Sequence, residues 1–86
     1  MGWVYILRLS NGKYYVGSTS NLLQRLETHK NGKSKYTSKH LPLELVFSQK
    51  CPDILIAKKI EIWLKDLKSR RIIEQIILDG KITRSF

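Results

Sequence analysis

Five side chains of this sequence could together act on a charged ester: Tyr5, Tyr15, Arg25, His29 and Glu61. A phenol serves as a general base or a hydrogen-bond donor only beside a charge that lowers its pKa. Without one, two strand tyrosines simply pack. Arg25 alone is a solvated helix residue, and a lone histidine such as His29, although it titrates near neutrality, is more often a surface side chain than a catalyst. Glu61 has Ala57 and Leu64 on one side and Lys65 and Lys68 on the other, so it borders an apolar stripe. In so basic a chain a carboxylate usually pairs with lysine, but it also suits a hard divalent cation. Each residue has an ordinary structural explanation. Together they form the set that phosphodiester hydrolysis needs: a base for the attacking water, a cation at the phosphate, and a carboxylate for a metal at the leaving oxygen.

The elements that must position them are readable in order. Trp3 to Leu9 and Tyr14 to Ser18 are aromatic and β-branched runs joined by a compact Asn-Gly turn, the pattern of a β-hairpin. Trp3, Tyr5 and Leu7 project on one face and Val4 and Ile6 on the other, which predicts a central strand covered on both sides. The turn decides which side chains meet. A two-residue Asn11-Gly12 loop would pair Arg8 with Tyr15 and separate the tyrosines. A three-residue Ser10-Asn11-Gly12 loop, with Gly12 left-handed in a G1 bulge, pairs Leu9 with Lys13, Leu7 with Tyr15 and Tyr5 with Gly17. The bulged form is expected, with both tyrosines on one face.

Ser18-Thr19-Ser20-Asn21 is a run of capping residues, and Asn21 with Gln24 resembles a capping box. Leu22, Leu23 and Leu26 predict a first helix ending near Asn31-Gly32. Arg25 and His29, four apart, share a face distinct from the Leu22/Leu26 stripe. Residues 33–42 read as a basic polar loop, and Leu43 to Ser48 as a third strand with Leu43, Leu45 and Phe47 on one face. Pro52-Asp53 opens a second helix carrying Ile56, Ile60, Trp63 and Leu67, reinforced by Ala57 and Leu64. A break is expected over Lys68 to Arg71. Ile72, Ile73, Ile76 and Ile77 then mark a short third helix closed by Gly80.

The whole is an α/β (α+β) pattern: a small three-stranded, mainly antiparallel sheet flanked by helices, in the order β-β-α-β-α-α. With 86 residues and no repeats or linkers, residues 1–86 read as a single domain. The net charge of +9 suits a polyanion, most often nucleic acid, while a merely solubilising basic surface is the plainer explanation. Cys51, the only cysteine, excludes an internal disulfide framework and any CxxC or Cys/His zinc arrangement. The apolar run at the N-terminus is too short for a signal peptide or a membrane span, so a cytoplasmic protein is expected.

From Trp3-Val4-Tyr5 through Tyr15-Val16-Gly17 and Arg25 to Glu61, the chain resembles a GIY-YIG nuclease domain, in particular the small stand-alone bacterial proteins of that family. The first triplet lacks the Gly-Ile of the family name and the second has valine for isoleucine; both positions serve the sheet. Tyr36-Thr37 and Lys39 fit the basic loop of the small members. The resemblance implies that Tyr5 and Tyr15 are the signature tyrosines, Arg25 the phosphate-binding arginine and His29 the histidine one turn later. It further implies that Glu61 binds one divalent ion, magnesium or manganese. The implied activity is a metal-dependent DNA endonuclease of the repair or recombination type, structure-selective and poor in sequence preference. Either tyrosine could take the proton from water, and Tyr5 is favoured, with Tyr15 and His29 assisting.

Lys13, Arg25, Lys30, Lys33, Lys35 and Lys39 are the candidate backbone-binding cations, steering DNA without reading its sequence. A homodimer or a protein partner would then supply specificity. A catalytically weak nucleic-acid-binding module on the same fold is the alternative, but mere binding does not call for an isolated carboxylate among basic residues.

Overall fold

The computed structural model describes residues 1–84. Its elements are β1 (Gly2–Arg8), β2 (Tyr14–Thr19), α1 (Leu22–Lys30), β3 (Glu44–Cys51), α2 (Ile54–Leu67) and α3 (Arg70–Asp79). The strands form one antiparallel sheet in the order β2-β1-β3, so β1 is central, as its two apolar faces predict. Val4 and Ile6 join Ala57, Ile60 and Leu64 of α2 in the larger core. Tyr5, Leu7 and Leu9 build a smaller core on the opposite face, covered by Leu22 and Leu26 of α1.

The hairpin takes the bulged form. Tyr5 pairs with Gly17 and Leu7 with Tyr15, Gly12 is left-handed at φ 81°, and the loop is closed by Leu9 N–H to the Lys13 carbonyl at 2.9 Å. Helix starts follow the capping chemistry: the side chains of Asn21, Asp53 and Ser69 accept from the backbone N–H of Gln24, Ile56 and Ile72. The expected break after α2 is narrower than four residues. Lys68 alone turns left-handed, Ser69 caps, and Arg70 and Arg71 already belong to α3.

Two expectations are corrected. The 33–42 segment is not all loop, since Thr37–His40 form a 3₁₀ turn. In β3, the pairing Ile6–Phe47 is followed by Leu7–Leu45, which leaves Val46 as an extra residue. One extra residue reverses the alternation of side chains. Phe47 therefore packs with Val4 and Ile6, whereas Leu43 packs with Tyr5 and Leu7 on the other face. Among the described residues, no helix is long and apolar enough to cross a membrane.

Candidate active site

The smaller core is where chemistry collects. Tyr5 lies across the sheet with its ring against Gly17, its cross-strand partner. A methyl group added at Gly17 would sit 2.5 Å from the Tyr5 Cζ. The second triplet ends in glycine because the Tyr5 phenol occupies the space a side chain would need. Tyr15, two residues earlier on the same face, holds its ring 6.5 Å from that of Tyr5.

α1 lies over both rings. Its register turns Arg25 and His29 inward next to the Leu22/Leu26 stripe, so the arginine–histidine face meets the tyrosines. His29 is no surface histidine: it is fully buried. Its Nε2 meets the Tyr5 hydroxyl at 3.0 Å and its Nδ1 meets Thr37 Oγ1 at 2.8 Å. Arg25 Nε donates to the Tyr5 hydroxyl at 3.4 Å. Because a guanidinium only donates, the Tyr5 oxygen accepts from Arg25 and its proton is free to donate to neutral His29. The ring of His29 also meets Tyr15 edge-on at 5.2 Å.

Burial raises the Tyr5 pKa despite the opposing hydrogen bond from Arg25. Arg25 is pushed above its ordinary value, first by its hydrogen bond to Tyr5 and, against a desolvation cost, also by Tyr15. Burial and then the Arg25 charge lower His29 from 6.5. The folded imidazole is therefore neutral where the unfolded one takes up a proton. That contribution is fully present above the unfolded pKa and is lost as pH falls below it toward the depressed native value. In urea titrations the wild-type midpoint should fall between about pH 7 and about pH 5, and His29→Gln should flatten that fall. A wild-type midpoint constant over this range would contradict a neutral buried imidazole.

Glu61 reaches the centre from the other side of the sheet. β2 is an edge strand, and α2 carries Glu61 to that edge, where Ser18 Oγ donates to Oε1 and Lys65 Nζ to Oε2, the latter at 2.6 Å. Lys65 Nζ also lies 5.9 Å from the centre of the Tyr15 ring. Desolvation raises the Glu61 pKa, but the hydrogen bonds from Lys65 and Ser18 and the lysine charges outweigh it, and the carboxylate is held below its usual range. Among the described residues no three His, Cys, Asp or Glu side chains gather around a metal position. Glu61 still suits magnesium, which commonly takes one or two protein carboxylates and completes its shell with water and substrate phosphate. An ionised, partly shielded oxygen pair at the edge of the tyrosine site meets that description.

The predicted lysines divide. Lys13 lines a cleft with Tyr15 and Tyr36, and Lys35 and Lys39 flank Tyr36 and His40. Lys30 lies instead beside Leu41, Pro42 and Leu43 and is not brought to the tyrosines. Lys33 is exposed beyond α1. The reading from residues set Lys65 and Lys68 beside Glu61 without naming them as site residues, and it overlooked Ser18, Arg70 and the hydrogen bond between His29 and Thr37. Ser18 looked like one more residue of the capping run. Lys65 carried a signal, standing four residues after Glu61.

Comparison with known proteins agrees with this architecture. The family model described as GIY-YIG catalytic domain matches residues 1–73. A UPF0213 protein of Bacillus cereus is 35% identical over 68 residues, covering 78% of this chain and 71% of its own. A UPF0213 protein of Streptococcus pneumoniae is 40% identical over 48 residues, 55% of this chain and 48% of its own. The chain thus spans only about half of the streptococcal relative. The solution NMR structure of a UPF0213 protein from Bacillus halodurans is 37% identical, with a TM-score of 0.60 over 93% of this chain and 87% of that one.

Proposed function

The chain belongs to the GIY-YIG family of catalytic domains, and from that premise we propose that it is a divalent-metal-dependent endonuclease hydrolysing phosphodiester bonds in DNA. The observation that carries this reading is the cluster of Tyr5, Tyr15, Arg25 and His29 on one face of the sheet, with Glu61 at the neighbouring β2 edge beside Ser18 and Lys65. A base, a cation and a carboxylate acting on one phosphate need that proximity.

The roles follow from exposure. Tyr5 is 1% exposed and its oxygen is committed to Arg25 and His29. Burial raising its pKa keeps the phenol protonated, so no basic form is at hand to take a proton from water. Tyr15 is only half-buried and borders the open cleft. Tyr15 is therefore the better base, which reverses the preference for Tyr5 drawn from the sequence. In this scheme Tyr15, in its deprotonated form, takes a proton from the attacking water, and the water oxygen bonds to phosphorus. The bond from phosphorus to the 3′ oxygen breaks, that oxygen leaving with the electron pair. Arg25, held by Tyr5 and adjoining Tyr15, supplies the positive charge at the phosphate. Glu61 would hold the divalent ion, and the ion would supply positive charge for the leaving oxygen. Tyr5, His29 and Thr37 keep Arg25 aimed.

The test is incubation of plasmid and branched DNA with magnesium or manganese, against the same reaction with EDTA. Cleavage only with the metal is expected. Because Ser18 and Lys65 engage both Glu61 oxygens, a second reading is a module that binds nucleic acid without cutting it. Tight binding with no cleavage in either metal would favour that second reading.

A further inference from the structure

A cleft of about 400 Å³ opens between β2 and the α2–α3 junction, next to the proposed centre. That volume falls within the range of small-molecule sites, about 300–1,000 Å³. Tyr14, Tyr15 and Tyr36 give it aromatic walls, and Leu64 and Ile73 an apolar floor. Lys13, Lys65, Lys68 and Arg70 place four cations around it. The Arg70 guanidinium lies 4.9 Å from the Tyr14 ring centre, and Glu74 ties that corner together by accepting from the Tyr14 hydroxyl at 3.2 Å and from Arg70 Nε at 3.4 Å. Tyr36 is 51% exposed, yet its ring is held nearly parallel to Tyr15, 25° apart at 5.9 Å. His40 also meets the Tyr36 ring, tilted 54° at 5.5 Å, so ring contacts outside the core place an aromatic side chain that is left half in solvent.

We propose that this cleft is a nucleobase pocket that receives one unstacked base of the strand being cut, with Tyr36 as its stacking platform. The proposal rests on the nuclease reading above and names the form of substrate that the same site takes. Aromatic walls ringed by lysine and arginine match a nucleotide, whose flat apolar base is bounded by charged phosphates. A paired base is covered on both faces within the duplex. Only a base in a single strand, or one extruded from a duplex, presents a free ring. The cleft and the reaction centre share Tyr15 and Lys65, so the pocketed base belongs to a nucleotide beside the phosphate at Arg25.

The full chain is titrated in EDTA, by fluorescence anisotropy at fixed salt, with three DNAs: a single strand, a fully paired duplex of the same length, and that duplex with one bulged base. Tyr36→Ala should weaken single-strand binding about tenfold or more and change affinity for the paired duplex less than about twofold. Tyr36→Phe, which keeps the ring, should retain single-strand affinity. The bulged duplex separates the two sources of a free base: sensitivity to Tyr36→Ala means that extruded bases enter, and insensitivity means that the strand must be free. Equal losses on single strand and paired duplex, or no loss on either, overturn the pocket while leaving the nuclease reading intact. Failure of the wild-type chain to bind any of the three overturns the nuclease reading and the pocket with it.

Discussion

Glu61→Gln is expected to slow metal-dependent DNA cleavage by at least about a hundredfold while leaving DNA affinity nearly unchanged. The amide keeps the shape of the side chain and can still accept from Ser18, so the α2–β2 contact should survive. What it loses is the negative charge that a divalent ion requires. Lys65 does not stand in the way of the ion. Its side chain is 50% exposed in an i,i+4 pair with Glu61, and such pairs contribute on the order of 0.3–0.5 kcal/mol, little against the attraction of a doubly charged ion for the same carboxylate. Binding and cleavage are read on the same DNA, in EDTA and in magnesium respectively. Undiminished cleavage by the variant would point to a contaminating nuclease and dispose of Glu61 as the ion's ligand. A matching loss of affinity would mean that Glu61 holds the fold or the DNA and not the ion.

Tyr15→Phe is expected to cost about 10²- to 10⁴-fold in cleavage rate, the usual contribution of a positioned general base, with little change in stability. The Tyr15 ring would keep its contacts with His29 and Tyr36, and only the hydroxyl that adjoins Arg25 would go. Tyr5→Phe should behave differently. It removes an oxygen that joins two partners, leaving the buried His29 Nε2 and the Arg25 Nε without it. An unpaired buried polar group costs roughly 1–3 kcal/mol, so Tyr5→Phe should lower the urea midpoint and weaken catalysis through a mobile Arg25. Stopped-flow or gel-based rates beside urea unfolding of both variants decide the assignment. A larger rate loss in a stable Tyr5→Phe than in Tyr15→Phe would return the base role to Tyr5.

Much of the fold could be read along the chain because it rests on interactions a few residues long. The Ser10-Asn11-Gly12 turn sets the hairpin register, and with it the common face of Tyr5 and Tyr15, since a left-handed glycine is a local requirement. The caps Asn21 and Asp53 likewise act within three residues. The period of α2 placed Glu61 at the border of a buried stripe. Val46, by contrast, became a bulge through its pairing with β1, and nothing in Leu43-Glu44-Leu45-Val46-Phe47 announces it.

The same division runs through the candidate site. Residue types and spacing by themselves determined which side chains could do chemistry: two phenols on one strand face, an arginine and a histidine one turn apart, and a carboxylate on the edge of a helix stripe. Only the tertiary structure decided their environments. It buried His29 between Tyr5 and Thr37, turned Ser18 from an apparent cap into the partner of Glu61, and closed Tyr36, Lys68 and Arg70 around a cleft beside Tyr15. It also left Lys30 beside Leu41, Pro42 and Leu43, away from Tyr15 and Tyr36. The reason is physical. A turn or a cap is stabilised by hydrogen bonds within its own few residues, whereas burial, pKa and the shape of a cleft depend on how separate elements dock across the sheet edge.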